Sequence, residues 1–512
     1  MKNYAAIDLF RRAVLKTFVA TSCLGSVAVS ASPSSLSASA HAWRAMSRVG
    51  YGPSAALVQA VQASPSPRDW ALQQVEAAFR ASQHAPRIAP ALADFNAPLP
   101  RIYEGVQRER ELRTRVKDKQ SQTNDLSQAK RMDFSESPEP AYFSRMLLQQ
   151  AAAWRLSSCS DPDQEVPLLA RMTEFWFNHL NVFSGKGAVR PFTGHYVINV
   201  ARRHAMGRFE DLLLASARHP AMLLYLDQAQ SVADGTQGRQ GTVRGLNENY
   251  ARELMELHTL GVDGGYGQSD VRDLARLLTG WTVSRDDASG FRFAPGLHDR
   301  SDKWILGHRF PLATTRSGVL EGEDAIRMLA RHPATAQRIS FRLAQFFISD
   351  RPQAEVVHRI SQSFISTQGD MSAVMRTVLE SPEFWSAESR LFKTPMDFAC
   401  SALAATQGVV QSHIGSESYR RNALLALGFL ANAGQPLHAW QTPDGYKVDT
   451  ATWLVPEALT RRADFALELA RKGPNLDFLT PYLGVVTRDA IANENAALRP
   501  GLMLASPDFM YK

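Results

Sequence analysis

Cysteine is scarce in this 512-residue chain, which contains three, and that scarcity excludes several classes of protein. A small secreted domain stapled by disulfides and a cysteine-rich zinc site both need more thiols at closer spacing. Cys23 lies in the amino-terminal segment, so Cys159 and Cys400 remain in the rest of the chain. These two thiols pair in an oxidising compartment or stay reduced, and the sequence leaves both outcomes open.

The most familiar catalytic motifs are missing as well. The chain has no Gly-x-Ser-x-Gly elbow, no His-Glu-x-x-His, no Cys-x-x-Cys and no dinucleotide fingerprint, which removes the most easily recognised enzyme classes. No internal repeat is visible. The net charge of +7 is a mild surplus spread along the chain, and we expect no nucleic-acid partner. No stretch after residue 40 has the length and apolarity of a membrane helix.

The first forty residues have the order of a targeting segment. Arg11 and Arg12 precede a short apolar run, and Ala38-Ser39-Ala40 gives a small-x-small cleavage site before His41. The paired arginines resemble a twin-arginine signal, so we predict a signal peptide over 1–40 and a periplasmic or extracellular mature protein. A lipoprotein acylated at Cys23 is the lesser alternative, because Ala20 stands where a larger aliphatic residue is usual.

Helical periodicity covers most of the remaining chain, with prolines at the segment boundaries. Strand patterns occur at 281–283 and 291–293, joined by a polar turn, and 304–306 reads as a third strand. We therefore predict a mainly α protein, a large multi-helix globular bundle with a small β-hairpin near 281–306. Residues 41–512 are predicted to form a single large helical domain.

A charged arm or insert is predicted at about 101–131. Acidic and basic residues are both dense there and apolar residues are few, a pattern typical of a long solvated helix or a mobile arm. A nucleic-acid-binding segment would carry charge of one sign with interleaved aromatics. Tyr103 is the only aromatic residue nearby.

The stretch 247–281 reads as helix, glycine turn, helix, and it holds the densest set of polar groups. Glu253 and Glu256 lie one turn apart with Asn249 and Arg252 on the same side, whereas His258 falls on the opposite, apolar side. Two interpretations compete. The carboxylates form a solvated face paired with Arg252, or carboxylates and imidazole line a cleft as metal ligands or as acid and base.

Two further sets of residues raise the same choice. His298, Asp299 and Lys303 lie on a loop close in sequence to the carboxylate helix, as site residues on scaffolds often do. Alternatively, Asp299 caps a turn and His298 is exposed. His179 lies on an aromatic helix face, where a histidine is more often a core residue than a ligand.

Several segments together resemble the bacterial domain of unknown function 1800 family. The matching segments are Arg48 to Pro53, Phe175 to His179, residues 247–281, His298-Asp299 with Lys303 and Gly307, Gly434 to Leu437 before Trp453-Leu454, and Ala505 to Phe509. Gly267 departs from the threonine usual in the family, although glycine is a tolerated helix cap. The resemblance implies an exported, mainly helical protein, often encoded beside a sulfatase-like exported protein. It transfers no established reaction.

Two main hypotheses follow. In the first, the protein is a cell-envelope enzyme or cofactor-binding protein. Its catalytic residues are Glu253, Glu256, His258, His298, Asp299 and Lys303, and its substrate-binding residues are Asn249, Arg252 and His179. The identity of any metal or cofactor is left open. In the second, it is a non-enzymatic scaffold or assembly partner of an exported sulfatase-like protein, with the arm 101–131 as the interface. Binding of an acidic envelope polymer is a third, weaker reading.

Overall fold

A computed structural model describes residues 37–122, 142–237, 243–311 and 318–512 of the chain. The predicted fold class is confirmed, because helices dominate and strands form only short antiparallel hairpins. The predicted signal segment lies outside the described residues up to residue 36. The first described helix begins at Ala38 and so spans the predicted cleavage site. Cleavage and export stay predictions.

The α-helices of the described residues, in chain order, are α1 (Ala38–Arg44), α2 (Ala55–Gln62), α3 (Pro67–Gln83), α4 (Leu99–Gln122), α5 (Phe143–Ser160), α6 (Pro167–His179), α7 (Thr193–Tyr196), α8 (Phe209–Arg218), α9 (Pro220–Tyr225), α10 (Asn249–Glu253), α11 (Gln268–Leu277), α12 (Gly318–Arg331), α13 (Pro333–Phe347), α14 (Ala354–Ser366), α15 (Met371–Glu380), α16 (Pro382–Trp385), α17 (Pro395–Thr406), α18 (Glu417–Asn432), α19 (Thr450–Trp453), α20 (Pro456–Ala470), α21 (Val485–Ala492), α22 (Arg499–Leu504) and α23 (Pro507–Met510).

Tighter and wider turns extend several of these helices. Segments with π-helical bonding are Ala45–Val49, Val197–Arg202 and Leu254–His258, and 3-10 turns are Pro90–Asn96, Arg190–Phe192, Gln228–Gln230, Pro295–Leu297, Gln411–His413 and Asp477–Tyr482. Local sequence sets many of the boundaries. Ser54 caps α2 by accepting a hydrogen bond from the Leu57 amide, and the Thr394 hydroxyl accepts one from the Asp397 amide at the start of α17.

Three antiparallel hairpins are present in the described part of the chain, and their strands are β1 (Thr236–Gln237), β2 (Val243–Arg244), β3 (Trp281–Val283), β4 (Phe291–Phe293), β5 (Lys303–Ile305) and β6 (His308–Phe310). The predicted hairpin near 281–293 is confirmed, with Trp281 opposite Phe293. The predicted third strand also exists, but it pairs with β6 rather than with β3 or β4, and Lys303 lies opposite Phe310.

Two clusters of buried apolar residues form the core. The larger runs from α1 to α16, and the smaller gathers α17 to α23 with residues from α5 and α6. Cys159 and Cys400 form a disulfide that joins α5 to α17. Buried ion pairs also connect the two clusters, since Arg171 on α6 and Lys512 both contact the Asp397 carboxylate. That residues 41–512 form a single domain stays a prediction.

The predicted charged arm coincides in part with α4, while residues 123–131 lie outside the described residues. The first half of α4 is packed rather than solvated. Ile102 is fully buried, and the buried Glu109 carboxylate accepts a hydrogen bond from the Ser144 amide (3.1 Å) and pairs with Arg113 (2.6 Å). Among the described residues, no helix combines the length and apolarity needed to cross a membrane.

Candidate functional site

Helix α10 (Asn249–Glu253) continues into the segment Leu254–His258, and we call the two together the central helix. It carries its polar and apolar residues on the faces that the sequence predicts. Tyr250, Ala251, Leu254, Met255 and His258 are buried, whereas Arg252, Glu253 and Glu256 are half-buried. The following helix α11 is also confirmed, because its predicted apolar stripe Val271, Leu274, Ala275, Leu278 and Trp281 is entirely buried. The stretch 247–281 thus presents one carboxylate-bearing surface on a well-packed support.

The second half of the central helix is π-helical over Leu254–His258. The Thr259 hydroxyl donates to the Leu254 carbonyl (2.6 Å), and the Gly261 amide donates to the Met255 carbonyl (3.1 Å). Gly261 has a φ of +88°, which favours glycine at this turn. Short π segments inside α-helices are frequent at functional sites, and side-chain periodicity does not distinguish them from plain helix.

Three carboxylates gather at the exposed side of this helix. Glu253 and Glu256 are joined there by Asp444, which lies on an exposed loop before α19. Among the described residues, none of the three is within ion-pair distance of a basic group. Burial raises the pKa of Glu253 above its ordinary value. The negative charges of Glu256 and Asp444 raise it further, while Arg252 opposes the shift. Glu253 therefore holds its proton to higher pH than an isolated glutamate.

Two arginines of α13 face these carboxylates without pairing with them. Burial lowers the pKa of Arg342 to about 10 and the neighbouring charge of Arg338 adds to the shift, while Asp444 opposes it. Burial lowers the pKa of Arg338, and the negative charge of Glu256 acts against that shift. The Arg338 Nε atom donates to the Leu257 carbonyl (3.1 Å), which fixes its side chain against the π segment. The arrangement presents positive and negative charge that the described residues do not neutralise.

The loop that carries Asp444 is held in place by α6. Asn178 exchanges two hydrogen bonds with the backbone of Tyr446, at 3.0 Å and 2.8 Å. Asn181 donates to the carbonyls of Trp440 and Thr442 at 3.0 Å and 2.8 Å. Gly445 has a φ of +71° and lies so close to Asn178 that a Cβ atom would clash with the Asn178 carbonyl oxygen. These bonds explain why Asn178 and Asn181 point away from the apolar face of α6.

The two histidines of this region lie behind the carboxylates, in the core. His179 is buried, and its Nε2 atom donates to the His258 carbonyl (3.0 Å). Burial, with Arg338 and Arg342 nearby, lowers the pKa of His258 to about 3, so this imidazole is neutral near pH 7. Both of its ring nitrogens lack a hydrogen-bond partner among the described residues. His258 is 1% exposed and is therefore a core residue.

Asn249 and Arg252 are engaged by the protein itself. The Asn249 side chain donates to the Leu226 carbonyl (3.3 Å). Arg252 pairs with Glu248 (3.2 Å) and also donates to Gln268 (2.9 Å). The predicted pairing of Arg252 with Glu253 or Glu256 is wrong, because the guanidinium of Arg252 forms its ion pair with Glu248, one turn earlier along the chain.

The second predicted set forms a cluster of its own around α12. The fully buried Lys303 ammonium donates to Glu321 (3.0 Å) and to the Asp299 carbonyl (2.5 Å). The Nε2 atom of His298 lies 3.6 Å from the same Glu321 carboxylate, and its Nδ1 atom donates to the Thr279 carbonyl (2.9 Å). The alternative that His298 is exposed is wrong, because its ring lies under α12.

Asp299 has the structural role that the alternative interpretation predicts. Its carboxylate accepts from the Ser301 amide (2.9 Å), which closes a turn, and from the Arg276 Nε atom (2.8 Å). Burial acts to raise the pKa of Asp299, but the bonds from Arg276 and Ser301 prevail and lower it to about 2. The carboxylate stays ionised and neutralised at ordinary pH.

The predicted site residues thus divide into two sets with different partners. Glu253 and Glu256 face α13 and the loop of Asp444, whereas His298, Asp299 and Lys303 bind Glu321, Thr279 and Arg276. Within the described ranges, no hydrogen bond or ion pair joins the two sets, and no three His, Cys, Asp or Glu side chains are arranged to hold a metal ion. Sequence reasoning missed Asp444, Arg338 and Arg342. The two arginines lie within a helical pattern and Asp444 lies in a Pro-Asp-Gly turn, and neither context indicates a site.

Comparison with known proteins identifies a family whose function is not known. No match to the chain is found among curated proteins or among solved structures. A family model described as "Protein of unknown function (DUF1800)" matches residues 44–511. That span takes in α6, the central helix, α13 and the loop of Asp444. The chain therefore belongs to the DUF1800 family of proteins of unknown function.

Proposed function

We propose that the protein is a cell-envelope enzyme that cleaves an anionic polymer by acid–base catalysis, at the surface formed by Glu253, Glu256, Asp444, Arg338 and Arg342, which we call the carboxylate surface. The observation that carries the proposal is the charge left unpaired there. A folded protein normally neutralises partly buried charges, and a group of them without partners is typical of sites that bind a ligand.

Glu253 is the proton donor in this proposal. Glycoside hydrolysis pairs a carboxylic acid of raised pKa, which donates a proton, with a second carboxylate. Burial raises the pKa of Glu253, and the charges of Glu256 and Asp444 raise it further, which is the direction a proton donor needs. Glu256 or Asp444 then takes the role of the base that activates water, since both face the same solvent-exposed side.

Arg338 and Arg342 bind the negative charge of the substrate. A guanidinium presents several N–H donors that fit a carboxylate or sulfate group. The two arginines repel each other across one helical turn, so an anion placed between them relieves that repulsion. A uronic-acid or sulfated polysaccharide supplies both the anionic group and the glycosidic bond.

The location in the cell envelope rests on the twin-arginine pattern of the first forty residues and is supported by the disulfide between Cys159 and Cys400. Such bonds persist in exported proteins and are rare in a reducing cytoplasm. The charge of the substrate follows from the two arginines. A neutral polymer would supply no negative group to pair with Arg338 and Arg342, whereas an acidic polymer would.

The test is cleavage of acidic polysaccharides, namely polygalacturonate, alginate, hyaluronate and chondroitin sulfate, measured as new reducing ends. Wild-type protein is expected to cleave at least one of them. Glu253→Gln should lower that rate by about 10²–10⁴-fold, the usual contribution of a general acid. The matched control is Glu355→Gln, an exposed carboxylate on α14, which should leave the rate unchanged.

Two results would contradict this proposal. One is the absence of cleavage of all four polymers by the wild-type protein. The other is equal cleavage by wild type and Glu253→Gln. Either result favours the alternative of an assembly partner for an exported sulfatase-like protein, and that alternative predicts that the full-length protein co-purifies with such a partner.

A further inference from the structure

A separate cavity of about 360 Å³ lies beside α9. It is bounded by α4, the start of α5, the segment 187–192 and the region of β3. Leu224 lines the cavity. Burial raises the pKa of the next residue, Tyr225, and the nearby charges of Glu253 and Asp444 raise it further. The volume falls in the range of about 300–1,000 Å³ that is usual for small-molecule sites.

The inner wall of this cavity is apolar. Its apolar lining residues are Val106, Ala188, Pro191, Phe192, Leu224 and Val283. Phe192 is buried and packs against the ring of Tyr103, with ring centroids 4.7 Å apart. The residues of this wall come from four parts of the chain, namely α4, the segment 187–192, α9 and β3, so its shape does not depend on one side chain. An apolar chain placed here would be removed from water.

The rim of the cavity is positively charged. Arg110 and Arg285 are exposed and make no ion pair within the described part of the chain, and the half-buried Arg190 donates to the Ser184 carbonyl (3.3 Å). The one carboxylate that lines the cavity, Glu109, is already neutralised by Arg113 (2.6 Å) and Ser144. The rim therefore has a surplus of guanidinium groups over carboxylates.

A hydroxyl group at the same cavity also lacks a partner. The Tyr103 oxygen is buried and makes no hydrogen bond to any described residue. A buried polar group without a partner costs free energy, roughly 1–3 kcal/mol in general, unless a ligand or water supplies one. The Tyr103 hydroxyl is a donor for a negatively charged head group that enters between the arginines.

We propose that this cavity binds a single-chain amphiphile with one anionic head group, of the fatty-acid type. The alkyl chain lies on the wall of Val106, Leu224 and Val283, and the carboxylate lies among Arg110, Arg285 and the Tyr103 hydroxyl. A free inorganic anion would use only the rim, and a neutral lipid would use only the wall. The combination of both features selects a molecule that has both.

The experiment is isothermal titration of the full-length protein with dodecanoate, dodecan-1-ol and inorganic phosphate. Dodecanoate is expected to bind with a stoichiometry of one, at least tenfold more tightly than dodecan-1-ol or phosphate. The double variant Arg110→Glu/Arg285→Glu should weaken dodecanoate binding roughly a hundredfold, since each charge-assisted contact contributes about tenfold. The matched control Arg488→Glu, an exposed arginine on α21, should bind like wild type.

A second variant tests the apolar wall independently. Val106→Trp fills the cavity from the half-buried face of α4 and should abolish dodecanoate binding while circular dichroism shows the wild-type helix content. The proposal is overturned if dodecan-1-ol or phosphate binds as tightly as dodecanoate, or if the double variant or Val106→Trp binds dodecanoate like wild type. Cleavage of acidic polysaccharides is measured separately, so a failure of dodecanoate binding leaves the proposed function of the carboxylate surface unaffected.

Discussion

Two regions of this protein contain carboxylates and basic groups close together, and they treat those charges in opposite ways. Around α12, Lys303 and His298 lie against Glu321, and Asp299 lies against Arg276. At the central helix, Glu253 and Glu256 face Arg338 and Arg342 without forming ion pairs among the described residues. The ion pairs around α12 stabilise the fold. The unpaired charges at the central helix lower the stability of the free protein, and a bound ligand of opposite charge would restore it.

The largest effect is expected where the pairing is most complete. Lys303→Met leaves Glu321 without its ammonium partner next to the buried His298. Breaking a buried pair by removing one partner costs about 3–5 kcal/mol. The free energy of unfolding, measured by urea denaturation, should fall by about that amount. A loss below about 1 kcal/mol would mean that the α12 cluster does not stabilise the fold, and the contrast between the two regions would disappear.

The residues that lie close together along the chain could be predicted from the sequence, because local spacing determines their arrangement. Glu253 and Glu256 converge because three residues make nearly one helical turn, and β3 pairs with β4 because apolar residues alternate across a polar turn. The partners of those residues could not be predicted in this way. Glu321, Arg338 and Asp444 arrive from helices and loops far along the chain, and only the packing of those elements brings them near.

His298 and Lys303 follow the central helix closely along the chain, which predicts that they share one cavity with its carboxylates. The sequence gives no indication of their direct bonding partner. Glu321 at the first turn of α12 instead binds the Lys303 ammonium. The π segment Leu254–His258 was also beyond prediction, because it depends on the Thr259 hydroxyl and the turn at Gly261 rather than on the pattern of apolar residues.

A smaller loss of stability is expected when the loop of Asp444 loses its support from Asn178. Asn178→Ala removes both hydrogen bonds to the Tyr446 backbone and leaves buried backbone groups without partners, at a cost of about 2–3 kcal/mol. Polysaccharide cleavage should fall as well, because Asp444 loses its position. Thermal unfolding and the cleavage rate measure the two effects. An unchanged cleavage rate would show that the loop does not belong to the site.

Removing an unpaired arginine of the carboxylate surface is expected to leave stability unchanged or to increase it. Arg342→Met removes a half-buried guanidinium that Arg338 repels, and the methionine keeps the apolar part of the side chain. Stability should stay level or rise by up to about 1 kcal/mol, while affinity for an anionic oligosaccharide falls roughly tenfold. Urea denaturation and calorimetric titration give both numbers. A destabilised variant with wild-type affinity would assign Arg342 to the fold instead.

The smallest effect concerns pH. The folded pKa of Glu253 is raised by burial and by Glu256 and Asp444, so the folded state binds its proton more tightly than the unfolded chain does. Below the ordinary glutamate pKa of 4.5 both states are protonated. Stability is then lost as pH rises from there through the folded pKa. The stability of wild type relative to Glu253→Gln should decline across that window and then level off. A rising difference would reverse the assigned direction.

The most direct test of the contrast is the free energy of unfolding of Glu253→Gln at pH 7, measured beside Glu321→Gln. An unpaired charge predicts that Glu253→Gln is as stable as wild type or up to about 1 kcal/mol more stable. Glu321→Gln, which deprives the buried Lys303 of its counter-charge, should lose about 3–5 kcal/mol. Equal losses in the two variants would contradict the account, because they would show that Glu253 is also a paired structural carboxylate.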